Sequence, residues 1–206
     1  MQVLGVVLAG GLASRLGGVD KASVGFGAGT LLDAVLARFA PQVEALIVNA
    51  NGDASRFARY ALPVVPDDIG GHPGPLAGIL AAMDHGAKNG FSHVASVPVD
   101  TPFLPGNLVA RLKDAAARGG APIIFAASSA EDGRLLRQPV FGLWPVSLRE
   151  DLRSSLSSGL SKIVLWADRH GSESVPFPST DIDPFFNVNS AADLDEAQKL
   201  SDSAIY

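Results

Sequence analysis

The stretch VLGVVLAGGLASRLGGVDK at residues 3–21 consists of a continuous apolar run followed by a glycine-rich loop. A run without alternation, such as 3–8, is typical of a strand in a parallel sheet covered on both faces. Glycines directly after such a strand let backbone N–H groups approach phosphate oxygens with no Cβ in the way. Arg15 and Lys21 add two positive charges that suit a triphosphate. The stretch therefore predicts a buried strand that leads into a phosphate-binding loop.

The loop matches neither of two common phosphate-binding patterns. G-x-G-x-x-G is absent because Gly10 and Gly11 are adjacent and no third glycine follows at the required place, which disfavours a Rossmann oxidoreductase. G-x-x-x-x-G-K-[ST] is absent because Lys21 is followed by Ala22. A flexible surface loop with solvated charges is the alternative to phosphate binding. The agreement of loop, position and charge favours phosphate binding.

Apolar runs and amphipathic segments alternate along most of the chain. Further short runs occupy 45–48, 62–65, 94–97 and 122–125, and helix-period segments occupy 30–40, 75–87 and 105–118. Thr30 is placed to cap the first helix, and Ser190 with Asp193 resembles a capping box for a last one. The alternation predicts an α/β fold, namely a doubly wound, mostly parallel sheet with helices on both faces.

The alternation breaks down between about 128 and 189. We expect a polar loop at 128–134, a strand at 135–144 whose direction could be antiparallel, and short helices at 147–157 and 160–167. This is typical of an insertion that shapes a substrate pocket, and plain scaffold is the alternative. We therefore expect one domain over residues 1–206, with about 128–189 as the substrate-side insertion.

Composition excludes several classes of function. The net charge is −5 and the charges form no basic stripe, so we expect no nucleic-acid and no membrane partner. The chain has no cysteine, which excludes disulfides, thiolate catalysis and Cys-ligated zinc, and its four histidines are not paired at metal-ligand spacing. No apolar stretch reaches about 18 residues, so we expect a cytoplasmic protein.

Polar residues follow the predicted strands, where ligands bind in open α/β sheets. Asp100, between Pro98 and Pro102, is a candidate Mg²⁺ ligand, although an Asp there can also open a turn or cap a helix. Asn49 follows the second run and suits recognition of a base or ribose, with a turn former as the alternative. Asp67 or Asp68 could contact the same groups.

Two other segments lie near helix starts. The segment 70–78 is rich in glycine and proline and could lie over a nucleoside, although a mobile connection is the alternative and Gly78 could instead serve close helix packing. Asn187 and Asn189 frame Val188 and could face a shared cleft, with capping of the last helix as the alternative.

Taken in order, these motifs resemble the molybdenum cofactor guanylyltransferases. The resemblance runs from Val3 to about Leu194. It depends most on LAGG at 8–11 followed by RLGGVDK at 15–21, and then on VNAN at 48–51, GPLAG at 74–78, DTP at 100–102 and FNVN at 186–189. The resemblance implies a Rossmann-like nucleotidyltransferase fold. Cytidylyltransferases of the same cofactor typically show Ala-Ala-Gly where this chain has Ala9-Gly10-Gly11.

The resemblance also implies a reaction and a set of site residues. GTP and the molybdopterin cofactor would be the substrates and Mg²⁺ the cofactor, and the pterin's terminal phosphate would attack the α-phosphorus of GTP. The enzymes that insert or receive the product would be transient partners. The residues expected to bind GTP, its phosphates or Mg²⁺ are Leu8, Ala9, Gly10, Gly11, Arg15, Lys21, Asn49, Asp67 and Asp100, with Asn187 and Asn189 facing the pterin. Arg15, Lys21 and Asp100 would be catalytic, and Asp100 would hold the metal.

Two other functions are compatible with the same motifs. One is cytidylyl transfer to the same cofactor. The other is a catalytically silent module that binds nucleotide or cofactor, which loss of Arg15, Lys21 or Asp100 would have favoured. All three residues are present.

Overall fold

One mixed sheet forms the centre of the molecule. The computed structural model describes residues 1–10, 12–13, 19–69, 74–129, 133–178 and 181–203. The strands of this sheet are β1 Val3–Leu8, β2 Ala45–Asn49, β3 Val64–Val65, β4 His93–Pro98, β5 Ile123–Ser129, β6 Leu135–Pro145 and β7 Ser172–Phe177. Their order is β7-β5-β6-β4-β1-β2-β3. Only β6 pairs antiparallel with its neighbours, so the predicted mostly parallel sheet is confirmed.

Helices cover the sheet on both faces. The α-helices of the described ranges are α1 Leu31–Phe39, α2 Pro75–Lys88, α3 Leu108–Ala117, α4 Arg149–Ser157, α5 Ile163–His170 and α6 Ala191–Ser203. Shorter 3₁₀ turns include Lys21–Ser23 and Ala54–Tyr60. Within the described parts of the chain, no helix has the length and apolar character that crossing a membrane requires.

Side chains along each strand point alternately to the two faces of the sheet, so a separate buried cluster forms on each face. Val3 and Val7 of β1 belong to a buried cluster that includes residues of α1 and α3. Leu4 and Val6, on the other face of the same strand, belong to a cluster with residues of α2, α4 and α5. The doubly wound arrangement is therefore confirmed.

The predicted helix starts at Thr30 and Ser190 are confirmed by their hydrogen bonds. Thr30 Oγ1 accepts from Asp33 N at 3.2 Å, and Asp33 Oδ2 accepts from Thr30 N at 2.8 Å. Ser190 Oγ likewise accepts from the amide of Asp193 at 3.2 Å, and Asp193 Oδ2 accepts from the amide of Ser190 at 2.8 Å. Each pair satisfies donors that a helix N-terminus otherwise leaves free.

Several predicted boundaries are wrong. The strand predicted at 62–65 is limited to Val64–Val65, and the loop predicted at 128–134 begins too early because β5 extends to Ser129, which pairs with Leu135. Strand β7 was not predicted. It lies at the sheet edge, begins with three polar residues and contains Pro176, and an edge strand tolerates proline because one side of its backbone has no partner in the sheet.

The carboxyl ends of four parallel strands lie at one edge of the sheet. Leu8 of β1 pairs with Asn49 of β2 and with Pro98 of β4, and Asn49 pairs with Val65 of β3. The residues that follow these strands are therefore held next to one another, as the rule for open α/β sheets predicts.

Candidate functional site

The ammonium group of Lys21 joins three distant segments at this edge. Its Nζ donates to Asp100 Oδ2 at 2.6 Å and to Asn189 Oδ1 at 2.7 Å. The side chains of Lys21 and Asp100 are each 15% exposed, so their ion pair is largely shielded from water. Three residues that the sequence predicts for one site are thus in direct contact.

Asp20 fixes the backbone on which Lys21 stands. Asp20 caps the 3₁₀ turn Lys21–Ser23, because its Oδ1 accepts from the amide of Ala22 at 3.0 Å. Asp20 also pairs with Leu12, because the short strands Leu12–Ala13 and Val19–Asp20 are antiparallel neighbours. The far end of the glycine-rich loop is therefore anchored directly before Lys21.

The segment that contains the two predicted asparagines is tied to the end of β4. The amide of Val188 donates to the carbonyl oxygen of Asp100 at 2.9 Å, and Thr101 Oγ1 donates to Asn187 Oδ1 at 2.8 Å. Thr101 and Val188 are fully buried, whereas Asn187 and Asn189 are exposed. Both asparagines thus lie beside Asp100 and remain accessible to a ligand.

Asp193 holds the backbone of Asn189 from the start of α6. Its Oδ2 accepts from the amide of Asn189 at 2.9 Å. This bond, with the hydrogen bonds from Ser190 and the nearby charge of Lys21, lowers the pKa of Asp193 below its ordinary value. Asp193 is therefore ionised at neutral pH and fixes Asn189 next to Lys21.

A second group of polar side chains surrounds Asp67, just beyond β3. Asn49 is buried and donates from Nδ2 to Val65 O at 3.0 Å and to Asp67 Oδ1 at 2.9 Å. Asn51 donates from Nδ2 to Asp67 Oδ2 at 2.8 Å and accepts from the amide of Asp67 at 2.9 Å. Asp68 is instead exposed, and its Oδ2 lies 3.6 Å from Arg153 Nη1. Of the two acids, the structure places Asp67 in contact with Asn49, the asparagine that the sequence predicts for the nucleoside end.

The end of β1 lies between these two groups. The amide of Ala9 donates to Asn49 O at 2.9 Å, and the amide of Val99 donates to Leu8 O at 3.2 Å. Gly10 is exposed, and a Cβ built on it would meet Asn49 Oδ1 only at 4.0 Å. The space in front of Gly10 is therefore open toward Asn49. Gly11 and Arg15 lie outside the described residues, as do residues 70–73.

Gly78 of α2 allows the helix to approach Asn49 closely. A Cβ at this position would lie 2.2 Å from Asn49 Oδ1 and 2.8 Å from Leu8 Cδ2, which is closer than any real contact. The structure favours the packing interpretation of this glycine. Through Asn49, that packing also supports the group around Asp67.

The two oxygen atoms that contact Lys21 are of the kind that Mg²⁺ prefers as ligands. Asp100 offers a carboxylate oxygen and Asn189 an amide oxygen, and both already contact one cation, the ammonium of Lys21. In the described portion of the chain, no group of three acidic or histidine side chains is placed to hold a metal ion by itself. Mg²⁺ is commonly held by one or two carboxylates together with substrate phosphates, so Asp100 fits as a partial binding site.

Sequence reasoning missed residues whose contacts are purely tertiary. Thr101 supports Asn187, and Arg56 contacts both Asp20 and Asn51. Arg56 lies in the unpredicted 3₁₀ turn Ala54–Tyr60, where no apolar period marks a structured element. For Thr101, the only signal in the sequence is that it is a polar residue directly after Asp100, a candidate Mg²⁺ ligand.

Comparisons with known proteins find relatives that align over nearly the whole chain. Residues 5–171 match the family model described as the MobA-like NTP transferase domain. The chain is 48% identical to a molybdenum cofactor guanylyltransferase of Bradyrhizobium sp., over 97% of this chain and 93% of that protein. It is 45% identical to a protein of the same name from Nitrobacter hamburgensis, over 96% of this chain and 93% of that protein.

Solved structures share the fold at low sequence identity. Molybdopterin-guanine dinucleotide biosynthesis protein A from Archaeoglobus fulgidus superimposes with a TM-score of 0.76 at 21% identity, covering 98% of this chain and 100% of that one. A 2-C-methyl-D-erythritol 4-phosphate cytidylyltransferase from Thermus thermophilus superimposes with a TM-score of 0.71 at 19% identity, covering 98% of each chain. The predicted Rossmann-like nucleotidyltransferase fold is thus confirmed.

Proposed function

The chain belongs to the MobA-like NTP transferase family and is a nucleotidyltransferase, and on that premise we propose that it transfers GMP from GTP to the terminal phosphate of molybdenum–molybdopterin. The products are the guanine dinucleotide form of the cofactor and pyrophosphate. The observation that carries the proposal is the junction of Lys21, Asp100 and Asn189, where residues predicted for phosphate, metal and pterin meet.

GTP lies along the carboxyl edge of the sheet in this proposal. Leu8, Ala9 and Gly10 line the site at the end of β1, and Lys21 binds phosphate. Asn49 and Asp67, which hydrogen-bond each other, contact the nucleoside end. Gly11 and Arg15, which the sequence assigns to the phosphates, complete the GTP-binding set as predictions.

The pterin binds beside Asp100 in this proposal. Asn187 and Asn189 are exposed next to Asp100 and present amide groups that can hydrogen-bond a substrate. Both belong to the stretch 128–189, which we propose as the substrate side of a single domain spanning residues 1–206. Contacts with the enzymes that insert or receive the cofactor stay a prediction from the resemblance.

The reaction is an in-line displacement at the α-phosphorus. An oxygen of the pterin's terminal phosphate forms a bond to that phosphorus while the bond to the bridging oxygen of pyrophosphate breaks. The attacking phosphate is already an anion, so no protein nucleophile is required, and positioning and charge neutralisation carry the catalysis. Lys21 and Arg15 neutralise phosphate charge, and Asp100 holds Mg²⁺, which when bound supplies further positive charge to the phosphates.

Calorimetric titration of the purified protein with GTP and then with CTP, both with Mg²⁺, tests the nucleotide. We expect a clear preference for GTP. Preference for CTP would move the assignment to cytidylyl transfer to the same cofactor. Binding of neither nucleotide, with or without molybdopterin present, would contradict the proposal and favour a silent cofactor-binding module.

A further inference from the structure

Arg56 lies between the two ends of the proposed nucleotide site. Its Nε is 3.1 Å from Asp20 Oδ2, and its Nη2 donates to the backbone carbonyl oxygen of Asn51 at 2.9 Å. The guanidinium carbon lies 4.8 Å from the centre of the ring of Phe57, which is buried. One planar group therefore contacts two separate segments while an aromatic ring supports it.

Each partner of Arg56 carries one end of the site. Asp20 directly precedes Lys21 and caps the turn on which Lys21 stands. Asn51 uses both ends of its side-chain amide to hold Asp67. A displacement of Arg56 would therefore be transmitted toward Lys21 through one contact and toward Asp67 through the other.

We propose that Arg56 is a positioning residue that fixes the separation between the phosphate-binding end at Lys21 and the nucleoside-binding end at Asp67. The inference rests on the proposed function, because it assumes that one GTP molecule spans both ends. Arg56 contacts neither Lys21 nor Asp67 and acts through Asp20 and Asn51.

The fork shape of the guanidinium is what this role requires. Nε and Nη2 point to two different acceptors from one rigid plane, whereas a lysine ammonium is a single point charge on a flexible stem. Lysine at position 56 keeps the charge and can reach one acceptor at a time. The positioning role therefore predicts that Arg56→Lys behaves like Arg56→Gln in GTP binding.

Arg56 should contribute little to the stability of the folded protein. Its side chain is 36% exposed and that of Asp20 is 21% exposed, and ion pairs open to water have small effects on stability. Removal of Arg56 should therefore leave the protein folded. Its effect should appear when a ligand must meet both ends of the site at once.

Arg59 provides a matched control on the same 3₁₀ turn. It too forms an ion pair, with Asp33, and it stacks at 4.6 Å on Tyr60. Its described contacts are with Thr30, Asp33 and Tyr60, which belong to neither end of the site. Arg59→Gln thus removes a similar charge and a similar stacking contact from the same element.

The experiment compares GTP with a fragment that occupies one end only. Dissociation constants for GTP with Mg²⁺ and inhibition constants for inorganic tripolyphosphate are measured for the wild type, Arg56→Gln, Arg56→Lys and Arg59→Gln. Both Arg56 variants should bind GTP about tenfold more weakly, because small displacements of positioned groups have large effects. In the transfer reaction, KM for GTP should rise by about the same factor while kcat changes less. Tripolyphosphate inhibition should change less than about twofold, since only one end is involved.

Two results would overturn the inference while leaving the proposed function intact. One is GTP binding by either Arg56 variant within twofold of wild type. The other is a loss in Arg59→Gln, or for tripolyphosphate, as large as the loss for GTP in Arg56→Gln, since a general disturbance would then explain it. Failure of the wild-type protein to bind GTP would instead contradict the proposed function, and the inference with it.

Discussion

Replacing Gly78 by alanine should disturb both the stability of the protein and its nucleotide site. The added Cβ would lie 2.2 Å from Asn49 Oδ1, more than about 1 Å short of an ordinary contact. The same Cβ would lie 2.8 Å from Leu8 Cδ2, so a shift of the helix toward Leu8 cannot relieve the clash. The strain can be relieved if Asn49 rotates away, and Asn49 would then lose its hydrogen bonds to Val65 and Asp67.

The size of the effect follows from this geometry. Inserting a methyl group into a packed site costs about 1–3 kcal/mol. For a chain of this length, that corresponds to a fall in Tm of about 2–12 °C. Because Asn49 and Asp67 are also proposed to contact the nucleoside, GTP should bind at least about tenfold more weakly, or about 1.4 kcal/mol.

Gly86→Ala on the same helix is the matched control. A Cβ there would meet Val146 Cγ2 at 3.4 Å and Leu4 Cδ2 at 3.6 Å, which are ordinary contacts. That variant should keep or slightly raise the stability, because alanine favours helices by about 0.5–1 kcal/mol relative to glycine. Thermal unfolding and calorimetric titration with GTP measure both variants. A Tm of Gly78→Ala within 1 °C of wild type, roughly the precision of such scans, with unchanged GTP affinity would refute the reasoning.

Three further predictions concern charged groups. Asp100→Asn should lower turnover by at least about 100-fold without loss of fold, as measured by pyrophosphate release and circular dichroism, and near-normal turnover with Mg²⁺ would remove Asp100 from the metal site. Lys21→Ala should weaken GTP binding by about tenfold or more in calorimetry, and an unchanged affinity would exclude its phosphate role. Hydrogen bonds from Trp166 and His170 lower the pKa of Asp151, so the carboxylate stabilises the fold above its ordinary pKa of about 4, and this stabilisation is lost as the pH falls through the lowered value. Asp151→Asn should therefore be less stable than wild type in urea at pH 7 and approach it below about pH 4, whereas an equal difference at both pH values would contradict the assignment.

The buried strands of the sheet were predictable because their signal is local. The runs 3–8 and 94–97 are continuously apolar, and β1 Val3–Leu8 and β4 His93–Pro98 match them within one residue. Strand β7 and the turn Ala54–Tyr60 carry no such period, since one lies at the sheet edge and the other is a 3₁₀ turn. The place of β6 between β4 and β5 depends on long-range pairing, which no local pattern reveals.

The candidate site likewise combines residues that a local sequence signal identifies with contacts that only the folded chain determines. Asn49 could be identified because it follows the apolar run 45–48, Asp100 because it comes shortly after the run 94–97, and Lys21 because it ends the glycine-rich loop. Their partners are set by tertiary contacts, including the bond from Lys21 to Asn189, which is 168 residues away along the chain. Arg56 shows this most clearly, because its two acceptors come from different segments and only the folded chain brings them together.

The most direct test of the proposed reaction is a product assay with molybdenum–molybdopterin, Mg²⁺ and either GTP or CTP, in which mass spectrometry identifies the dinucleotide and a coupled assay measures pyrophosphate. The proposal predicts the guanine dinucleotide and one pyrophosphate for each dinucleotide formed, with product formed at least about 100-fold more slowly by the Asp100→Asn variant. Formation of the cytosine dinucleotide in preference, or no product from either nucleotide, would contradict it.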